Sequence, residues 1–194
     1  MRLPRVFYAR ESKIVAKDLL GKILVHKTSE GIYKGKIVET EAYFGWADPA
    51  SHAYGKKITK RNIILYKNPG TAYVYLAYGT NWLLNVVAEK KGFPSAVLIR
   101  ALEPLKGIGM MKRNRCTKEI INLTNGPGKI TEAFGIDINH NGLDLSENDF
   151  LFIENSEETG IIVEAPRVGI RKGKEHLLRF YTKGNKFVSK ITTF

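Results

Sequence analysis

The sequence of 194 residues contains a single cysteine, Cys116. One cysteine excludes an internal disulfide and a cysteine-based zinc site, and we expect this side chain to be partly buried. No hydrophobic run approaches the length needed to cross a bilayer. The first five residues lack the apolar core of a secretory signal. We therefore expect a cytoplasmic protein that is not inserted in a membrane.

Acidic residues are scarce, with 19 Asp and Glu against 31 Lys and Arg, which gives a net charge of +12. This excess favours a polyanionic partner such as nucleic acid or an anionic membrane surface. The basic residues cluster in loop-like segments and not along an amphipathic helix, which argues against a membrane anchor. For each cluster the alternative is a solvated, solubilising surface. The clusters are Lys56, Lys57, Lys60 and Arg61; Lys112, Arg113 and Arg115; and Arg171, Lys172 and Lys174.

Hydrophobic and turn-forming residues alternate along the whole chain without repeats or linkers, which predicts one domain over residues 1–194. Strand-like runs dominate, so we expect an α+β, β-rich fold built from a meander of neighbouring strands. Helices are predicted over residues 12–20, 105–115 and 129–134, the first with Ser12 as its N-cap. Strands are predicted over residues 22–28, 32–43, 71–78, 82–88, 95–102, 150–154, 160–170, 178–182 and 187–192.

An acidic island runs from residue 37 to residue 52 without Lys or Arg. Strand alternation places Glu39, Glu41 and Tyr43 on one face, opposite Val38, Thr40 and Ala42. Two carboxylates and a tyrosine that project together raise one another's pKa, which prepares a glutamate to act as a base. The alternative is an exposed, solvated strand face.

Arg100 lies in an apolar strand, on the side that alternation gives to Leu98 and Leu102. That position predicts a buried guanidinium, which needs a carboxylate partner such as one from the acidic island. The alternative is an edge strand whose arginine reaches solvent.

Three tyrosines, Tyr73, Tyr75 and Tyr78, lead into the glycine turn at Gly79. Tyrosine rings stack on nucleobases, and a ring carried at a hairpin tip is able to wedge into a duplex. The alternative is ordinary packing of aromatic side chains in a β-rich core.

These residues occur in order with further motifs, and the chain closely resembles the alkyladenine (3-methyladenine) DNA glycosylase family. The resemblance extends from about the first helix to nearly the last residue. The motifs that carry it are Val38-Glu39-Thr40-Glu41-Ala42-Tyr43, His52, Pro69-Gly70-Thr71-Ala72-Tyr73-Val74-Tyr75, Tyr78-Gly79, Asn85, Leu98-Ile99-Arg100-Ala101-Leu102-Glu103-Pro104, Gly126-Pro127-Gly128-Lys129, Arg167-Val168-Gly169 and Leu178-Arg179-Phe180-Tyr181.

The resemblance implies a compact single domain around a curved antiparallel sheet or open barrel, with peripheral helices and a protruding β-hairpin. It implies a monofunctional glycosylase of base excision repair that acts as a monomer on double-stranded DNA containing damaged purines, without metal or cofactor. The expected lesions are 3-methyladenine, 7-methylguanine, hypoxanthine and ethenoadenine. Since nothing resembles a lysine nucleophile, an intact abasic site is the expected product.

The resemblance also assigns roles to single residues. Glu41 matches the general base that activates water, while Arg100 and the main-chain carbonyl of Val168 match groups that hold this water. Tyr43, His52 and Tyr75 match the walls of the base pocket, and Asn85 matches the residue that excludes normal guanine. The DNA contacts are expected from Tyr78, which matches the intercalating side chain, and from Arg61, Thr80 and Lys57.

Two other interpretations of the same residues are a non-catalytic nucleic-acid-binding module and a metal-dependent nuclease. The nuclease would use Glu39, Glu41, Asp48 and His52 as ligands, although their spacing matches no compact metal motif. The sequence departs from the family pattern near the expected DNA surface, at Lys60, at Leu65-Tyr66 and at Thr80-Asn81-Trp82.

Overall fold

A computed structural model describes residues 1–157 and 160–189, and in this part of the chain eight antiparallel strands form one sheet. The strand order is β3-β4-β5-β2-β1-β6, and β8 pairs with both β2 and β7. The α+β, β-rich single domain is confirmed, and the sheet stays open instead of closing into a barrel. The strands are β1 (Ile23–Thr28), β2 (Gly31–Tyr43), β3 (Ala72–Ala77), β4 (Asn81–Ala88), β5 (Ser95–Lys106), β6 (Leu151–Glu154), β7 (Ile162–Ala165) and β8 (Arg179–Thr182).

Four α-helices lie in the described ranges: α1 (Arg5–Tyr8), α2 (Ser12–Asp18), α3 (Ile108–Asn114) and α4 (Pro127–Phe134). The predicted N-cap is wrong, because Glu11 holds that position and the Ser12 side chain makes no cap hydrogen bond. The predicted helix 105–115 starts too early, since β5 continues to Lys106. Gly107 then turns the chain with a φ of 82°, and a Cβ there would lie 2.8 Å from the carbonyl oxygen of Ile32. Only glycine fits this turn without strain.

Two strand predictions near the end of the chain are also corrected. The predicted strand 160–170 is a strand only over Ile162–Ala165, and residues 166–170 form a loop that reaches the candidate site. Residues 187–189 form no strand, and residues 190–192 lie outside the described residues. Cys116 is exposed instead of partly buried, because it lies in the turn that follows α3.

The second half of β2 lies between two neighbouring strands, which explains the burial of its carboxylates. The segment from Glu39 to Glu41 pairs with β5 on one side and with β8 on the other. Both glutamate side chains are 0% exposed. The interpretation of the acidic island as an exposed strand face is therefore wrong. The interpretation of Arg100 as a residue of an edge strand is also wrong, because β5 is flanked by β4 and β2.

Irregular pairing between β2 and β5 changes which side chains share a face. The register shifts on both sides of Glu39. Val38 consequently packs with Ala101 and Phe187, away from the main core that takes Ala42. Leu102 likewise belongs to the main core, while Arg100 lines a cavity together with Leu98. Bulges of this kind re-aim side chains beside functional sites.

The main core fills the space between the sheet and helices α2, α3 and α4. Two buried hydroxyls fasten the helices to the sheet: Thr40 donates to the carbonyl of Ala16 in α2, and Thr131 in α4 donates to the carbonyl of Trp82. None of the helices in residues 1–157 and 160–189 is long and apolar enough to span a membrane.

Candidate active site

The carboxylate of Glu41 is enclosed by three groups. The Tyr43 hydroxyl donates to Oε2 at 2.8 Å, and the Val168 amide donates to Oε1 at 2.7 Å. The Arg100 Nη1 atom lies 3.4 Å from Oε1. Tyr43, Arg100 and Val168 all line one large cavity, so Glu41 lies directly behind its wall.

Desolvation dominates the protonation equilibrium of Glu41. Burial raises the pKa of this carboxyl above its usual range, and the negative charge of Glu39 raises it further. Arg100 and the hydrogen bonds from Val168 and Tyr43 act in the opposite direction. A carboxylate whose pKa is raised toward neutrality is well suited to take a proton from water.

Arg100 is 8% exposed, which confirms the predicted buried guanidinium. Its Nε atom donates to Glu39 Oε1 at 3.1 Å, so the arginine bridges the two carboxylates of the acidic island. Glu39 also accepts hydrogen bonds from Arg179 and Ser189. Every charge in this cluster therefore has a partner of opposite sign, as burial requires.

A second buried ion pair positions the loop that carries Val168. Arg167 binds both carboxylate oxygens of Asp48 at 2.5 and 2.8 Å and donates to the carbonyl of Ala42 at 3.0 Å. Its guanidinium lies 4.7 Å from the centre of the Tyr43 ring. The pair therefore joins the loop to the end of β2, and it places Val168 against Glu41.

The cavity beside Glu41 has a volume of about 700 Å³, large enough to hold a purine-sized ligand. Tyr73 and Tyr75 stack with ring centres 5.2 Å apart, and the His52 ring stands edge-on to Tyr75 at 4.6 Å. The Nδ1 atom of His52 lies 2.9 Å from the Tyr73 hydroxyl. The aromatic wall is formed by Tyr43, His52, Tyr73 and Tyr75.

Burial against these rings lowers the pKa of His52, and the charge of Arg61 lowers it further. The ring is therefore neutral at pH 7. Burial raises the pKa of Tyr73 and raises that of Tyr75 to about 12, so both hydroxyls stay protonated. The wall is thus aromatic and uncharged, with hydroxyl and imidazole groups as its polar atoms.

Asn85 also lines the cavity, from the middle of β4, and its side-chain amide donates to the carbonyl of Tyr73 at 3.1 Å. Leu83 from β4 and Leu98 from β5 lie beside it. This hydrogen bond holds the amide in place, so Asn85 adds a fixed polar group to an apolar side of the cavity.

The hairpin between β3 and β4 brings Tyr78 to the rim of the cavity, and 92% of this residue is exposed. Tyr78 has a φ of 51° and Gly79 a φ of 73°, and the Thr80 amide donates to the carbonyl of Ala77. Two consecutive positive φ values within such a hydrogen-bonded turn are typical of a type I′ hairpin. Thr80 is exposed at the same tip.

Basic side chains surround the mouth of the cavity. Arg61 lines it with its guanidinium 5.9 Å from the Tyr75 ring, and Arg171 and Lys172 line it from the loop after β7. Lys57 is exposed but does not line the cavity; its carbonyl accepts a hydrogen bond from Asn62. Three positive charges therefore lie along the lining of the cavity.

The ligand set of the nuclease interpretation does not assemble. Asp48 is occupied by Arg167 and Glu39 by two other guanidinium groups, while His52 points to tyrosines. Among residues 1–157 and 160–189, no group of three or more His, Cys, Asp or Glu side chains is placed to hold a metal ion.

The sequence did not predict that Tyr73 forms part of the cavity wall, nor that Asp48 and Arg167 form an ion pair. Tyr73 shares a strand face with Tyr75, so alternation could have placed it in the cavity wall. No local pattern identifies the pairing of Asp48 with Arg167, because the two residues are 119 positions apart.

The fold and this site define a protein that holds a buried glutamate behind an aromatic cavity lined by basic side chains. The family model described as methylpurine-DNA glycosylase matches residues 6–186. The chain therefore belongs to the methylpurine-DNA glycosylase family, and it is a DNA glycosylase.

Curated relatives match over almost their whole length. The chain is 49% identical over 193 residues to a protein from Prosthecochloris aestuarii, covering 98% of this chain and 92% of the relative. It is 47% identical over 204 residues to a protein from Clostridium perfringens strain SM101, covering 98% and 100%. A protein from Chlorobium phaeobacteroides is 47% identical over 191 residues, covering 97% and 95%. Each bears the name "Putative 3-methyladenine DNA glycosylase".

Proposed function

We propose that this protein is a monofunctional glycosylase of base excision repair that turns a damaged purine nucleotide out of the duplex into the cavity and hydrolyses its N-glycosidic bond. The observation that carries the proposal is the position of Glu41, directly behind the inner wall of an aromatic cavity with a basic mouth. A base stacked on Tyr75 would bring its sugar toward this wall.

The chemistry requires one activated water. Glu41 takes a proton from the water while the water oxygen forms a bond to the anomeric carbon. The bond from that carbon to the purine nitrogen breaks, and its electron pair leaves with the base. The sugar becomes positively charged in the transition state, so the ionised carboxylate stabilises it. Arg100 and the carbonyl of Val168 hold the water, and no lysine nucleophile takes part, so the abasic site stays intact.

The leaving group decides which purines react. Purines alkylated at the 3 or 7 position, such as 3-methyladenine and 7-methylguanine, already carry positive charge and depart readily. Hypoxanthine and ethenoadenine are neutral and need protonation. Asn85 excludes normal guanine by crowding its exocyclic amino group, and neutral His52 presents a hydrogen-bonding nitrogen to the base.

The DNA is held as a duplex by one copy of the protein. Tyr78 enters the stack where the nucleotide has left it, while Arg61, Thr80 and Lys57 contact the backbone nearby. Turning a nucleotide out costs a few kcal/mol, least at damaged or mispaired positions. Contacts of basic side chains with phosphates offset this cost, so affinity should fall as salt concentration rises.

The test uses duplexes that contain hypoxanthine, ethenoadenine or 7-methylguanine, incubated in EDTA. Wild-type protein is expected to release free base without breaking the strand, which breaks only after alkali treatment. Glu41→Gln should still bind the duplex but release base about 10²- to 10⁴-fold more slowly. Glu103→Gln is the matched control, because this glutamate on β5 accepts a hydrogen bond from the Asn185 side chain and does not line the cavity.

Other outcomes distinguish the alternatives. Binding without base release would indicate a nucleic-acid-binding module. Strand breaks that disappear in EDTA would indicate a nuclease, and strand breaks without alkali in EDTA would indicate lyase activity. Base release by Glu41→Gln at the wild-type rate would refute the role of Glu41.

A further inference from the structure

Glu39 is fully buried, although it does not line the cavity. Four groups donate to its carboxylate: Arg100 Nε at 3.1 Å, Arg179 Nε at 2.5 Å, the Ser189 amide at 2.7 Å and the Ser189 hydroxyl at 2.8 Å. Two guanidinium groups and a segment from the end of the chain thus converge on one side chain. Burying so many polar groups costs free energy, so the arrangement calls for a reason beyond stability.

Arg100 lies between the carboxylates of Glu39 and Glu41, and its contacts with the two differ. Its Nε atom donates to Glu39, whereas its Nη1 atom stands 3.4 Å from Glu41 without a hydrogen bond of good geometry. Its Nη2 atom contacts the Ser189 hydroxyl at 3.4 Å. The guanidinium is therefore anchored on the Glu39 side and leaves the Glu41 carboxylate only partly paired.

We propose that Glu39, fixed by Arg179 and Ser189, is a positioning residue that holds Arg100 back from Glu41. The inference rests on the proposed function, since it concerns how Glu41 is kept reactive. Without the carboxylate of Glu39, the buried Arg100 has Glu41 as its nearest acidic partner and closes the remaining gap to it.

The consequence for Glu41 has a definite sign. Glu39 raises the pKa of Glu41 and Arg100 lowers it. Removing the Glu39 charge and drawing Arg100 closer both lower the pKa of Glu41, which makes it a weaker base. Within residues 1–157 and 160–189, the charged and titratable groups that face Glu41 are Glu39 and Tyr43 from β2, Arg100 from β5, Arg167 from the loop after β7, and Tyr75 from β3. Arg179 of β8 pairs with Glu41 across the strands, but its guanidinium binds Glu39.

The experiment measures single-turnover base release by Glu39→Gln from a hypoxanthine duplex as a function of pH, with saturating protein. We expect the maximal rate to fall on the order of 100-fold, as for a small displacement of a catalytic group. Affinity for the duplex should hardly change. The acid limb of the profile should move to lower pH than in wild type. An unchanged acid limb, or one that moves to higher pH, would overturn the inference.

A second variant separates positioning from folding. Glu39→Gln leaves Arg179 buried without its partner, which destabilises the protein. The double variant Glu39→Gln/Arg179→Gln removes both charges, so its thermal stability should recover toward wild type while its rate and its shifted acid limb do not. Recovery of the rate together with stability would show that Glu39 is only structural.

The control again is Glu103→Gln, whose carboxylate also contacts the segment near the end of the chain, at Asn185. It should keep the wild-type rate and acid limb. Failure of the inference and failure of the proposed function are distinguishable. If wild type releases no base, the function fails; if wild type is active, Glu41→Gln is inactive and Glu39→Gln keeps the wild-type profile, only the inference fails.

Discussion

Replacing Tyr78 with asparagine is expected to make the protein more stable while weakening its capture of a flipped nucleotide. Tyr78 has a φ of 51°, a region that costs an ordinary L-residue about 1 kcal/mol. Because the residue is 92% exposed, its ring loses almost no packing when it is removed. Asn-Gly is the preferred pair for a type I′ turn, so an asparagine placed directly before Gly79 relieves the strain.

The expected gain is about 1 kcal/mol, which corresponds to an increase in Tm of about 2–4 °C for a chain of this size. Thermal and urea unfolding measure the gain, and fluorescence of a reporter base beside the lesion measures capture. Tyr78→Phe keeps both the ring and the strain, so it should match wild type in both assays. Tyr78→Ala should lose capture without gaining the same stability. A Tm of the asparagine variant at or below that of wild type would refute the strain argument, and unchanged reporter fluorescence would refute the wedge.

Three further predictions concern the buried charges. Burial raises the pKa of Glu41, so the acid limb of base release should lie above about 4.3, the ordinary glutamate value; a limb at that value would contradict the assignment. Because its pKa is raised in the folded protein, Glu41 favours folding in its neutral form. This contribution to the free energy of unfolding is fully present below the unfolded pKa of Glu41. It is lost as the pH rises through the raised folded pKa. Glu41→Gln should therefore gain stability relative to wild type as the pH rises above the unfolded pKa of Glu41, measured by urea unfolding. Asp48→Asn leaves Arg167 buried and unpaired, which should cost about 3–5 kcal/mol, whereas Asp149→Asn at an exposed ion pair should cost less than about 1 kcal/mol; equal losses would show that burial does not decide the effect.

The sequence was sufficient to predict the shared face of the two island glutamates and the burial of Arg100. Alternation along a strand places Glu39 and Glu41 together, and an arginine in an apolar run needs a carboxylate. Both are local arguments, and the described structure agrees with them. The hairpin at Gly79 was also predictable, because a glycine turn between two strand-like runs is a local signal.

The bulges beside Glu39 were not predictable in this way. They depend on how β2 fits β5, so strict alternation placed Val38 and Leu102 on the wrong faces. The pairing of β8 with β2 was also not predictable from the sequence. This pairing brings Arg179 to Glu39, which lies 140 positions away in the chain. Such partners follow from tertiary packing, which no local pattern contains.

The charges of the site differ sharply from those of the whole chain. The inner cluster holds two carboxylates and two guanidiniums, so its formal charge is zero, although the chain carries +12. Three of the cationic side chains outside this cluster, Arg61, Arg171 and Lys172, line the cavity. In the proposed function these side chains would attract phosphates, while the neutral cluster would leave Glu41 without a surplus of positive charge that weakens a base. In the proposed reaction, the negative charge of Glu41 would face and stabilise a sugar that becomes positive as the bond to the base breaks.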